Sequence, residues 1–235
     1  MIRLNKYLAM ANVASRRKCD EFISQGKILV NGKVATLGTS VDEKKDKVEY
    51  DGKTLSLETN FVYLKMHKPK GYVCSANDEH GRKTVYDLLP KQSARVFTIG
   101  RLDYDTEGLL LFTNDGQLTE KLSHPRNEIK KIYIAKVKGK LKESELAVLR
   151  KGVVLESEVL PDAKVEYLEM GADYTKLQIT IDEGKNHQIK NMFTAIGKEL
   201  LFLKRTQIGE VKLGGLGRGL TKSLSQEEID SLINL

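Results

Sequence analysis

Tryptophan is absent from this chain of 235 residues, and six phenylalanines and nine tyrosines are all its aromatic surface. Platforms on which sugar rings stack are therefore scarce. Two cysteines, Cys19 and Cys74, are too few for a disulfide framework. With no CxxC pair or Cys/His cluster beside them they read as core or surface thiols, and no metal site is expected. No run approaches the ~18 apolar residues a spanning helix needs, and the start lacks a signal-peptide apolar stretch, which disfavours a membrane and predicts a cytoplasmic protein. GxGxxG and Walker A loops are also missing. Gly214-Gly215-Leu216-Gly217 lacks the lysine and the following helix of a phosphate-cradling loop, so no nucleotide cofactor is expected.

Positive charge is what the chain has in excess. Lysine and arginine number 39 against 32 acids, a formal net charge of +7. Such a balance favours an anionic partner without separating RNA from DNA. The length allows one or two domains with a substantial core.

Residues 1–60 read as a small module. Leu4, Leu8 and Ala11 recur at helical spacing, and Ser15 can cap a second helix that buries Cys19, Phe22 and Ile23 before Gly26 stops it. Asn31-Gly32 and Asp51-Gly52 each sit between short strand-like runs, the signature of two-residue hairpins. Between Met1 and Lys33 lie Arg3, Lys6, Arg16, Arg17, Lys18, Lys27 and Lys33, opposed only by Asp20 and Glu21. Such a run is ordinarily a solvated helix face, but beside a tight turn it can track phosphates. Residues 51–60 are polar and predict a linker.

From residue 61 a second core begins with Phe61-Val62-Tyr63-Leu64. Strand alternation over 131–137 and 176–181, and helical periodicity over 117–122, 143–150 and 188–196, interleave irregularly. They predict an α+β domain over 61–235 with a mixed, largely antiparallel sheet.

Its most informative stretch is GRLDYDTEGLLLFTNDG, residues 100–116. Arg101, Asp103, Asp105 and Glu107 precede a short buried strand, Leu109–Phe112, which places an arginine and three acids on a loop at a strand's edge. Asp105 can brace the loop through its own backbone, and Asp115 reads as a turn or cap. Asp103 stands two residues after Arg101 with Leu102 directed the other way, an arrangement able to hold a carboxylate in a cleft, though spacing alone does not make it catalytic. A paired-carboxylate glycosidase remains open on this pattern alone. Farther on, His187, Lys190 and Asn191 share a helix face opposite Ile189, Met192, Phe193 and Ile196, either a solvated face or one that meets an anion at the helix N-terminus. Tyr133 alternates onto one strand face with Ala135 and Val137, as a core tyrosine or as a ring able to stack on a base.

The stretches RLNKYLA and ASRRKCDEFISQGKILVNGK resemble the S4 RNA-binding module. HKPKGYVCSANDEHGRKTVYDLLP (67–90), GRLDYDTEGLLLFTNDG, KKIYIAKVKG (130–139), EGKNHQIKNMFTAIG (183–197) and LKRTQIG (203–209) together resemble pseudouridine synthases of the RsuA type. The resemblance spans nearly the whole chain. It implies an N-terminal S4-like module on ribosomal RNA, Asp103 as the catalytic aspartate, Tyr133 as the active-site tyrosine and Lys190 as the aspartate's basic partner. Members often carry two consecutive basic residues where this chain has Lys190-Asn191. Isomerising uridine needs no cofactor, and the carboxylate either adds at C1′ or takes a proton from C2′. Enzymes of this type extrude the nucleotide, so Arg101 would occupy the place it leaves in the stack or clamp a phosphate, with His187 also toward RNA. Large-subunit RNA is the expected target, small-subunit RNA the alternative, and a monomer the expected state. A non-enzymatic ribosome-assembly protein is the competing class, against which the Asp103 loop speaks, since a carboxylate there would repel phosphate.

Overall fold

The computed structural model describes residues 1–57, 59–91 and 95–235. They pack as two units, Met1–Val62 with short additions that include Asn114–Gly116, and most of the remaining chain.

In the first unit the order is β1 (Ile2–Arg3), α1 (Leu4–Met10), α2 (Arg16–Ser24), β2 (Ile28–Val30), β3 (Lys33–Val34), β4 (Ser40–Val41), β5 (Val48–Tyr50) and β6 (Lys53–Thr54). Ser15 caps α2 by accepting the Lys18 amide at 3.2 Å, as its side-chain oxygen suits. Asn31-Gly32 and Asp51-Gly52 all adopt positive φ, the backbone a two-residue hairpin demands. The four strands β3-β2-β5-β6 form an antiparallel sheet, and Leu4, Leu8, Cys19, Ile23, Ile28 and Val48 close the core beneath it. The expected linker at 51–60 starts later than its polarity suggests. Lys53–Thr54 pairs with β5, and Leu55 and Leu57 pack on the same core; Glu58 lies outside the described residues.

The second unit runs β7 (Tyr63–Lys68), β8 (Phe97–Ile99), β9 (Glu107–Thr113), α3 (Gly116–Ser123), β10 (Lys131–Lys138), α4 (Glu143–Lys151), β11 (Val153–Leu155), β12 (Glu158–Leu160), β13 (Lys164–Met170), β14 (Tyr174–Ile181), α5 (Gln188–Ala195), β15 (Leu200–Ile208), β16 (Val211–Lys212), β17 (Thr221–Ser223) and α6 (Gln226–Ile233). A sheet ordered β13-β14-β10-β15-β9-β7-β17 organises it, with β8 on β9 and β16 on β15. All its pairs are antiparallel except β9 with β15. The α+β expectation holds. One core gathers β10, β13 and β14 residues with those of α4 and α5; another joins β9 and β16 to α3 and α6.

Two boundaries differ from the sequence pattern. Phe61 is exposed and β7 opens only at Tyr63. β9 begins at Glu107, and all its residues are buried, so this acid belongs to the strand rather than the loop before it. Glu107 is neutralised there by Arg218, whose Nε and Nη2 donate to its carboxylate at 3.0 and 3.2 Å. The parallel junction explains Gly108, which stands opposite Arg205 at φ +119°, where a Cβ would lie 2.1 Å from the Arg205 carbonyl oxygen. Only glycine permits that approach.

Candidate active site

The loop between β8 and β9 is held by its backbone before its side chains do anything. Lys68 is fully buried, and its ammonium donates to the carbonyls of Asp103 (2.9 Å), Thr106 (2.9 Å) and Pro69 (3.1 Å). Burial lowers its pKa from the usual lysine value, because desolvation penalises the charged form. Cys74 Sγ accepts from the Leu102 amide at 3.4 Å and donates to its carbonyl at 3.3 Å. Leu102 itself is buried in the core. With Leu102 locked inward, Arg101 and Asp103 on either side are free to face a cleft.

Asp103 meets α5 there. Lys190 Nζ lies 2.9 Å from Asp103 Oδ2 and 2.5 Å from Asp105 Oδ1, and His187 Nε2 lies 3.5 Å from Asp103 Oδ1. The Asp103 side chain keeps 29% of its surface and Lys190 24%, so the pair sits in a cleft, not in bulk water. Burial works against the Lys190 charge, but hydrogen bonds to Asp105 and Asp103 outweigh it and raise its pKa. Burial likewise opposes ionisation of Asp105, and the Lys190 hydrogen bond overcomes it, leaving its pKa lowered. Asp105 therefore does more than brace its own loop. The helix starts one residue after His187, which takes a left-handed φ of +54° ahead of it, so His187 reaches Asp103 from the turn and not from a helical face.

A cavity of about 260 Å³ opens beside Asp103, walled also by Arg101, Tyr133, Lys131, His187 and Arg205. Tyr133 is buried with Ala135 and Val137 on one face of β10, as alternation predicts. Arg205 stands opposite it on β15. Its Nε donates to the Leu109 carbonyl at 2.8 Å, and Nη1 lies 3.4 Å from the Arg101 carbonyl and 3.5 Å from the Tyr133 hydroxyl. Nη2 is buried without a partner among the described residues. Lys131 donates to the carbonyls of Ile129 (2.6 Å) and Asp182 (3.1 Å), and burial followed by repulsion from Arg205 lowers its pKa to about 8. Asp103 is thus the one acid on a pocket wall that also carries Arg101, Lys131, Lys190, Arg205 and the Tyr133 phenol among apolar and neutral polar side chains. Among the described residues no cluster of His, Cys, Asp or Glu is arranged to hold a metal ion, and no helix is long and apolar enough to cross a membrane.

The chain also has matches among known proteins. Residues 62–195 match the RNA pseudouridylate synthase family model. The chain belongs to the RNA pseudouridylate synthase family. It is 43% identical over 235 residues to the ribosomal large subunit pseudouridine synthase B of Bacillus subtilis, spanning 99% of this chain and 96% of that protein. An RNA pseudouridine synthase of Aquifex aeolicus is 39% identical, over 98% of this chain and 93% of its own. A crystal structure of a pseudouridylate synthase superposes with a TM-score of 0.72 at 32% identity, covering 99% of this chain and 100% of that one. Residues 2–48 match the S4 domain model.

In the S4 domain of this pseudouridylate synthase Arg3, Arg16, Arg17, Lys18, Lys27 and Lys33 are exposed and Lys6 is half-buried. Several already have local partners. Lys18 pairs with Glu21 at 2.5 Å, Arg3 donates to the Gly38 carbonyl at 3.2 Å, and Lys18 and Lys27 each lie 5.6 Å from the Phe22 ring centre. In the second unit Arg101 is exposed and His187 half-exposed, both bordering the Asp103 cavity. Asp103, Tyr133 and Lys190, separated by up to 87 positions, are brought to that one cavity. Sequence reasoning passed over Lys68, Lys131 and Arg205. Alternation did hold a signal for the first, since Leu64, Met66 and Lys68 point inward along β7, where a lysine needs a reason to be.

Proposed function

We propose that this enzyme converts a uridine of large-subunit ribosomal RNA to pseudouridine, with residues 1–60 gripping the RNA and 61–235 performing the isomerisation. The observation that supports it most is the Asp103 carboxylate held by Lys190 at 2.9 Å at the edge of a cavity containing Tyr133. Its substrate follows from relatives named for that ribosomal subunit.

A uridine in a helix hides its glycosidic bond, so the nucleotide must leave the stack at a cost of a few kcal/mol that phosphate contacts offset. The exposed cations of residues 3–33 supply such contacts without reading sequence. Arg101 clamps a phosphate or fills the gap at the mouth, and His187 adds a polar contact to the strand. Tyr133 lies against the extruded uracil. Asp103 then acts at the ribose, either by adding at C1′ and being displaced when the new bond forms, or by removing the C2′ proton and returning it as that bond forms. The N1–C1′ bond breaks, the uracil turns, and a C5–C1′ bond forms; the proton lost from C5 is matched by one gained at N1. Nothing is oxidised, so the chemistry asks for no cofactor. Lys190 keeps the carboxylate oriented and supplies the opposing charge a partly desolvated acid requires. A cytoplasmic monomer fits a task in which one RNA-binding module serves one active site.

The test is Asp103→Asn, assayed by base-resolved mapping of pseudouridine in large- and small-subunit ribosomal RNA treated with each protein. Modification by the parent enzyme at one large-subunit position, lost in the variant with RNA binding retained, is expected. Activity retained in the variant would overturn the role of Asp103, and a product only in small-subunit RNA would overturn the substrate.

A further inference from the structure

A second cavity, of about 480 Å³, shares with the first the wall formed by Arg101, Leu102, Asp103, Asn186 and His187. Its opposite side is the loop that follows β7. That loop is pinned at its base, where Val73 N donates to Lys83 O at 2.9 Å and Val85 N to Val73 O at 3.0 Å. Inside it Asp78 accepts from Arg82 Nη2 and from the Arg82 amide, both at 2.7 Å, and from the His80 amide at 3.2 Å. Hydrogen bonds from Arg82 lower the Asp78 pKa to about 2, so this acid is neutralised within the loop. Asp103 is matched by Lys190 on the other side. Arg101 and Glu79 complete its charged lining, so acids and bases border this cavity together.

Tyr104 also borders this second cavity and is absent from the first. It follows Asp103 directly and leaves 51% of its surface exposed, in a chain with few aromatic residues. Its main chain is nonetheless held in place. Gly71 N donates to its carbonyl at 2.8 Å, and its hydroxyl passes 3.9 Å from where a Cβ on Gly71 would stand. An exposed aromatic ring held at the mouth of a polar cavity is what recognition of an unpaired base uses: a face to stack on and donors and acceptors for the edge.

We propose that this cavity receives the base of a nucleotide adjoining the target uridine, stacked on Tyr104 with its edge toward the loop closed by Asp78 and Arg82. The proposal rests on the pseudouridine-forming reading of the Asp103 site. A strand that delivers one nucleotide to Asp103 must cross the shared wall, and its neighbour then arrives in the second cavity. Stacking there makes the flanking base a determinant of which uridine is chosen.

Synthetic RNA fragments carrying the target, with each neighbouring base removed in turn, test it against the parent enzyme, Tyr104→Ala and Tyr104→Phe. Tyr104→Ala is expected to raise KM about tenfold, within the range of base–aromatic stacking, with turnover of saturated enzyme falling much less. Tyr104→Phe should stay close to the parent. Removing one particular neighbouring base should raise KM for the parent to a similar degree and add nothing further in Tyr104→Ala. An unchanged KM in Tyr104→Ala, or penalties that add at every position, overturns the proposal. Failure of the parent enzyme to modify any ribosomal RNA would instead remove the reading on which it rests.

Discussion

Lys68 donates from its buried ammonium to the carbonyl oxygen of Asp103 at 2.9 Å, so the backbone of the proposed catalytic residue hangs on a side chain from a different strand. The Thr106 carbonyl of the same loop and the Pro69 carbonyl beside Lys68 share that ammonium. Replacing Lys68 with Met strips all three acceptors of a partner, at a cost on the order of 1–3 kcal/mol for each left buried and unsatisfied. Turnover should fall sharply while RNA affinity holds, and urea unfolding should show the loss. Parent-like turnover and stability would mean that the loop holds itself.

Lys190 stands between two carboxylates, 2.9 Å from Asp103 and 2.5 Å from Asp105. Lys190→Met leaves those acids facing each other unneutralised, and single-turnover rates should drop on the order of 10²-fold, as when a positioned electrostatic partner is removed. Asp105→Asn, at a side chain 64% exposed, should cost far less. Loss of RNA binding with normal turnover on bound RNA would contradict the assignment.

Gly108→Ala drives a methyl group into the Arg205 backbone at 2.1 Å. Because that is main chain in mid-sheet, it cannot yield cheaply, and the β9–β15 junction should open with a loss of about 3 kcal/mol or more, beyond the ordinary run of substitutions. Gly184→Ala is the control, with nothing within 4 Å of the added atom. Thermal unfolding distinguishes the two; equal melting temperatures would show that the junction is slack.

Burial, then repulsion from Arg205, lowers the Lys131 pKa to about 8 from an ordinary 10.5, with Asp182 and Glu183 opposing the shift. The unfolded chain therefore binds more protons than the folded one between those values, and stability attributable to this residue rises with pH across that window. Below pH 8 both states carry the charge, and the fold bears the whole desolvation penalty. Stability of the parent relative to Lys131→Gln should accordingly increase between pH 8 and pH 10.5. A difference that stays flat over that interval would place the Lys131 ammonium in water.

Much of this was legible from local chemistry. The Ser15 cap, the Asn31-Gly32 and Asp51-Gly52 hairpins and the inward face of β10 each depend on neighbours within a few positions, and each appears where the pattern puts it. Glu107 was misplaced because burial, and not alternation, defines β9, whose residues are all covered by neighbouring elements. Alternation turns Lys68 inward, but what it and Arg205 hold was not legible for a related reason. Their partners are carbonyls of residues 35 and 96 positions away, and a backbone acceptor leaves no mark on composition or spacing.

The sequence by itself determined the elements, the basic N-terminal module and the aspartate in its RLD setting, since turn chemistry, periodicity and side-chain type act over short range. Only the tertiary structure decided that Lys190 also answers Asp105, that Lys68 carries the loop, and that a second cavity lies behind the same wall with Tyr104 at its mouth. Those relations depend on which strands pair and in what register, and pairing is settled by the burial of many distant side chains at once.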